Sequence, residues 1–156
     1  MAGPEQGAGG RPRRNHVETL RARFSDTDAM GMAHHTSYVL WLEEARLGFL
    51  RAIGIPYSKL EARGLHLPVL ECNCKFLAPV LSEDVVAVHL WIKYLTRARM
   101  SLDYQIWLTA TGTLAAVART EHVFTRDDGR ATRLQAGSEI WRALSVGADP
   151  AQKHGT

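Results

Sequence analysis

Asp26, Asp28, His34 and His35 are four residues able to move protons or bind anions, and they fall close together in the chain. A carboxylate beside an imidazole can serve as a general base with an orienting or proton-donating neighbour. Both stand just ahead of a long, mostly apolar stretch that reads as a helix. The first backbone N–H groups of a helix have no intrahelical partner, and the positive end of its dipole lies there. The pattern therefore sets a base next to a ready-made place for a developing negative charge.

The helix that positions these groups spans about Ser37 to Ala52 and is ended by Gly54-Ile55-Pro56. Tyr38, Trp41, Leu42, Ala45 and Phe49 share one side at helical spacing. Glu43, Glu44, Arg46 and Arg51 take the other side, mixed with Leu47 and Leu50. Thr36 or Ser37 can cap the first turn. A helix this apolar is built to be wrapped. Ahead of it, a weak strand over His16–Phe24 leads into a loop over Ser25–His35, rich in turn-forming residues. A short helix over Tyr57–Arg63, stopped by Gly64, follows it.

Beyond Gly64 the period changes to two, giving strands over 66–77, 84–96, 101–108 and 114–124. The connections at Arg97-Ala98-Arg99 and Thr111-Gly112 are short, so antiparallel neighbours in a four-strand meander are expected. Asp127-Asp128-Gly129 reads as a turn and Ser138–Leu144 as a last helix. The fold class is α+β, an antiparallel curved sheet around one apolar helix. Trp91 and Trp107 fall on the outer strand faces, where a second subunit is expected to cover part of the sheet.

The bulk properties agree with one domain over 16–146, between a disordered tail at 1–15 and a flexible tail at 147–156. The chain has 156 residues, 46% hydrophobic and 22% charged, which suits a sizeable core. No apolar run is long enough to span a bilayer. The first residues carry no apolar secretory segment, and Cys72 and Cys74 are the only cysteines, so a cytoplasmic, reducing location is expected. The net charge of +3 owes much to arginines near the start. Without a basic helix or motif it argues against nucleic acid and suits an anionic small molecule.

The run Asp26-Thr27-Asp28-Ala29-Met30-Gly31, with His35, Ser37-Tyr38, Glu43 and Ala45-Arg46, resembles the hotdog-fold thioesterases. It is most similar to the 4-hydroxybenzoyl-CoA thioesterases and the short-chain acyl-CoA thioesterases of the Tol–Pal system, over roughly residues 17–145. The resemblance implies a five- to six-stranded hotdog sheet and hydrolysis of acyl-CoA without metal or other cofactor, coenzyme A being part of the substrate. It also implies a homodimer that can pair into a tetramer, with sites at subunit interfaces. It places the catalytic carboxylate on Asp28, a histidine on His35, and the oxyanion donors at the helix start, His35 and Thr36. Phe24 matches the hydroxybenzoyl branch, whereas the Tol–Pal branch has tyrosine there, so the acyl group stays open.

Other readings of the same residues set limits. The four Asp and His residues could hold zinc or iron, but no second ligand pair such as H-x-x-x-H accompanies them, and no metal is expected. Cys72 and Cys74 lie in a strand and read as packing residues. Gly31 and Tyr38 are candidate substrate contacts, and Lys93, Arg97 and Arg99 could hold the phosphates of coenzyme A. Release of an acyl or polyketide chain from an acyl carrier protein is an alternative activity, and a non-catalytic acyl-binding role is a second one.

Overall fold

Alternation in the second half of the chain becomes three long antiparallel strands, β4 (Val85–Leu95), β5 (Arg99–Leu108) and β6 (Thr113–Val123), joined by the short turns read above. The computed structural model describes residues 16–148. The tail expected at 1–15 lies outside the described residues, as does the chain beyond 148. Ahead of these strands come β1 (His16–Arg21), α1 (His35–Ala52), α2 (Tyr57–Ala62), β2 (Leu65–His66) and β3 (Val69–Phe76). After them come β7 (Thr125–Arg126), paired with β2, and α3 (Glu139–Gly147). The last helix runs further than the sequence suggested, to Gly147, and Ala148 beyond it is buried.

The main sheet is antiparallel in the order β1-β4-β5-β6-β3. The expected meander therefore holds for three strands and fails for the fourth. β1 pairs along β4, with His16 opposite Leu90 and Arg21 opposite Val85. That edge is taken, so β3 adds at the far side, with Cys72 opposite Thr120, Cys74 opposite Ala118 and Phe76 opposite Ala116.

The concave face carries the core. Val86, Val88, Leu90 and Ile92 of β4 and Met100, Leu102 and Ile106 of β5 are fully or almost fully buried. They meet the α1 stripe of Tyr38, Trp41, Leu42, Ala45 and Phe49, all buried as the periodicity required. Each of the buried Val, Leu, Ile, Met and Phe side chains contributes roughly 1.5–3 kcal/mol of burial. Arg46 and Leu50 are buried too, against the expectation of a polar side. Arg46 is accommodated because the sheet offers polar company. The Tyr104 hydroxyl lies 2.8 Å from Thr120 Oγ1, which lies 2.7 Å from His122 Nε2. Burial, with the Arg46 charge second, pushes the His122 pKa down to about 4, so this histidine is neutral at ordinary pH.

Two further contacts fix the helices. Gly48 lets α1 settle on β1, because a Cβ there would strike the Glu18 carboxylate, itself 2.7 Å from His16 Nε2. Ser138 Oγ accepts the Trp141 N–H at 3.2 Å at the start of α3. Glu139 joins that helix to α2, 2.7 Å from both Lys59 and Arg63. These cations, Lys59 first, hold its carboxyl below the usual range.

Candidate active site

The loop before α1 is shaped by its own polar groups. A single 3-10 turn, Phe24–Asp26, brings the chain round from β1. Asp26 is buried and fully used: its carboxylate accepts the Arg23 backbone N–H at 2.8 Å and the Arg23 guanidinium at 3.3–3.4 Å. Its carbonyl accepts the His34 N–H at 2.9 Å and the Ser37 hydroxyl at 2.8 Å. Asp26 is thus the lock of the loop. Ser37 is spent on that lock and caps nothing.

Asp28 has a divided role. Its Oδ1 accepts the N–H groups of Met30, at 2.8 Å, and Met32, at 3.2 Å, in a side-chain turn. Oδ2 takes no hydrogen bond among the described residues. Gly31 closes the same turn at φ +75°, a conformation in which an L side chain is strained. Thr27 bridges to Ala33, one residue before the His34 cap of α1, so the Asp28 loop is stitched to the start of the helix. Ala33 donates to the Val80 carbonyl at 2.8 Å, and Met32 bridges to Leu81, which fastens this unit to the chain ahead of β4.

α1 starts at His35, two residues earlier than read from the sequence, and His34 provides no side-chain cap. The N–H groups of His35 and Thr36 have no acceptor among the described residues, while the side chains of His34 and His35 are exposed. Tyr38, one turn in, is buried against Trp41 and stands edge-on to Phe76, with ring centroids 4.9 Å apart. Burial raises the pKa of its phenol. Asp28, Gly31, His35, Thr36 and Tyr38 are therefore brought to one end of the fold.

Lys93, Arg97 and Arg99 are not. Val85 begins β4 beside the Asp28 loop, and the strand carries these cations about 30 Å away along its length. Lys93 and Arg99 are exposed, and Arg97 donates to the Leu134 carbonyl at 3.4 Å. Within one chain they stand at the opposite end from Asp28. Residues that sequence reasoning did not single out also wall the site, notably Phe76 and Val80. The alternation of β3 puts Phe76, Cys74 and Cys72 on one face, but nothing in the sequence says that this face turns toward Tyr38.

The site can hold a base in an ordered loop and offer two free donors beside it. Residues 22–146 match the description of the thioesterase-like superfamily. The chain belongs to that family. Its fold is that of the hotdog thioesterases, and it is a thioester hydrolase. A 1,4-dihydroxy-2-naphthoyl-CoA hydrolase of a Synechococcus strain is 28% identical, over 80% of this chain and 98% of the relative. A hypothetical protein of Thermus thermophilus superposes with a TM-score of 0.77 at 36% identity, covering 85% of this chain and 96% of the other. A DHNA-CoA thioesterase of Staphylococcus aureus superposes with a TM-score of 0.79 at 27% identity, covering 85% and 89%. No helix of this superfamily member is long and apolar enough to cross a membrane among the described residues. No group of three or more His, Cys, Asp or Glu side chains is gathered for a metal ion among them either.

Proposed function

We propose that this thioesterase hydrolyses acyl-CoA esters in the cytoplasm, with Asp28 as general base or nucleophile and the N–H groups of His35 and Thr36 as oxyanion donors. One observation carries the reading: among the described residues Asp28 keeps one carboxylate oxygen uncommitted while the other anchors its loop to the start of a helix without a side-chain cap. In the general-base form, Oδ2 takes a proton from water as the water oxygen adds to the thioester carbonyl. The carbonyl oxygen turns negative against the two N–H groups. The C–S bond then breaks, and the thiolate leaves and takes up the proton, giving free acid and coenzyme A. In the nucleophilic form the carboxylate adds to the carbonyl and the C–S bond breaks, expelling the thiolate and leaving a mixed anhydride. Water then cleaves the anhydride to the free acid and the Asp28 carboxylate, its proton going to the thiolate. His35 orients the carbonyl or water. The names of the relatives support a coenzyme A ester as substrate.

The active form is a homodimer. β3 offers an edge strand, exposes Cys72 and Phe76 on its concave side and leaves Leu70 exposed, as a strand awaiting a second copy does. Antiparallel pairing of two β3 edges sets the partner's Arg97 end alongside the first subunit's Asp28 end. Lys93, Arg97 and Arg99 would then serve the neighbouring site as phosphate contacts. A mass in solution of at least twice the 17.3 kDa chain checks the dimer, and a single-chain mass refutes it.

Thiol release from short, long and aromatic acyl-CoAs tests the chemistry, with wild type beside Asp28→Asn. Asparagine keeps an oxygen for the Met30 and Met32 N–H groups, so the loop persists while the base is lost. A drop of about a hundredfold or more is expected. Equal rates would remove Asp28 from the mechanism.

A further inference from the structure

Two copies of β3 can pair edge to edge only in certain registers, and their side chains choose between these. The Leu77 N–H donates to the Ala115 carbonyl at 2.8 Å, so alternate residues back along β3 turn toward β6. Cys72, Cys74 and Phe76 therefore turn their N–H and C=O groups to the open edge. A second copy adding antiparallel there must keep both concave faces on one side. A slip of one residue would set core-facing side chains against outward ones. Two registers near full overlap remain, with either Cys72 or Asn73 opposite its own copy on the two-fold axis.

Charge decides for Asn73. Within one chain Glu71 stands opposite Glu121, and like charges so placed repel. No ion pair among the described residues involves Glu71 or the exposed Lys75. With Asn73 on the axis, Lys75 of the partner subunit comes opposite Glu71, and symmetry repeats the pair. With Cys72 on the axis, Lys75 would face Val69 and Glu71 would face Asn73. The Asn73 register also brings the exposed Val69 and Leu70 level with Leu77 and Phe76 of the partner subunit. Apolar then meets apolar at both ends of the seam.

In this register Cys72 falls opposite Cys74 of the partner subunit, and symmetry again repeats the pair. Hydrogen-bonded antiparallel partners have Cα atoms about 5.5 Å apart, a common spacing for disulfides. Directly opposite side chains share a face, so the two thiols meet. Cys72 is exposed and Cys74 half-buried. Burial raises the pKa of both, Cys74 to about 11, and the Arg46 guanidinium opposes that rise at Cys72. Cys72 is thus the thiol that an oxidant meets first.

We infer that Cys72 and Cys74 of the partner subunit form a reversible disulfide across the dimer seam, using a small disulfide such as oxidised glutathione as oxidant. The inference rests on the β3 dimer proposed above. The Cys72 thiolate attacks one glutathione sulfur, breaks its S–S bond and releases a thiolate, which takes up the proton Cys72 lost. Cys74 of the partner subunit then attacks Cys72 Sγ, and the second glutathione leaves with the Cys74 proton. Two protein thiols lose two electrons in all, and one oxidised glutathione becomes two thiols. Once joined, the subunits stay together at dilutions where mass action would separate them.

The test incubates the full chain with oxidised glutathione, caps free thiols and runs a denaturing gel without reductant. Wild type should run at twice the single-chain mass and return to the single band with dithiothreitol. Cys72→Ser and Cys74→Ser should each stay single. A cross-link that survives Cys74→Ser would set Cys72 against its own copy and overturn the assignment. Lys75→Glu should weaken the reduced dimer several-fold, and adding Glu71→Lys should restore both the dimer and the cross-link. No rescue by the double variant would also overturn the register. If wild type stays single on the gel while the reduced protein has a dimer's mass in solution, the disulfide is refuted and the dimer stands. A single-chain mass for the reduced protein refutes the dimer reading itself.

Discussion

The two longer helices start in opposite ways. α3 begins conventionally: Ser138 caps the Trp141 N–H, and Glu139 sits in the first turn, where an acid suits the dipole and finds Lys59 and Arg63. α1 begins with His34, which caps nothing, has no acid in its first turn, and leaves the His35 and Thr36 N–H groups without partners among the described residues. The difference follows from what else holds each helix. α3 has nine residues and buries Ile140 and Leu144, so its cap matters. α1 has eighteen and buries nine along the sheet, so packing alone secures it. A well-packed helix can leave its first turn bare, and in the proposed mechanism the negative charge missing there is one that a reacting substrate brings.

Changes at the two starts should therefore separate activity from stability. The largest effect belongs to Asp28→Asn, whose hundredfold or greater loss of rate should come with an almost unchanged melting temperature. A clear drop in melting temperature would mean that the residue serves the loop alone. His35→Pro comes next. Proline is tolerated at the first helical position, and His34 already has φ −58° and ψ 145°, suited to the residue before a proline. The substitution deletes one donor with little harm to the helix, and a loss of about 10²–10³ in kcat is expected. His35→Ala, which keeps the N–H, should lose less; equal losses would move the role from the backbone to the imidazole. Ser138→Ala should be smallest in rate and visible only in stability, at about 1 kcal/mol by denaturant melting with kcat unchanged. If it lowered activity as much as His35→Pro, the contrast between the two starts would fail.

Much of this was readable from residue spacing because it is local. The α1 stripe, the β4–β5–β6 hairpins and the adjacency of Asp28 to a helix start all depend on neighbours within a few positions. What the sequence hid depends on distant segments. Arg46 sits one turn past charged Glu43 and reads as a surface residue, yet Tyr104, Thr120 and His122 arrive from β5 and β6 to make its surroundings polar. Ser37 reads as a cap, but the Asp26 carbonyl, brought close by the loop, claims its hydroxyl. Nothing near β3 announces that β1 has filled the edge of β4. Arg97 and Arg99 show the same limit: their residue types suit phosphate, and only the length of β4 reveals how far they stand from Asp28.

The strand order also fixes how the sheet must be put together. β4, β5 and β6 can zip through short turns, whereas β3 reaches β6 only across a loop containing all of β4 and β5. Closing that loop carries an entropic cost the hairpins escape, so the sheet fills from its middle outward. β3 is synthesised before its partner strand and waits with both edges bare, carrying Leu70 and Phe76 in the open. β3, seated only after the hairpins, is also the strand a second chain would cover, so completing the fold and finding a partner draw on the same eight residues.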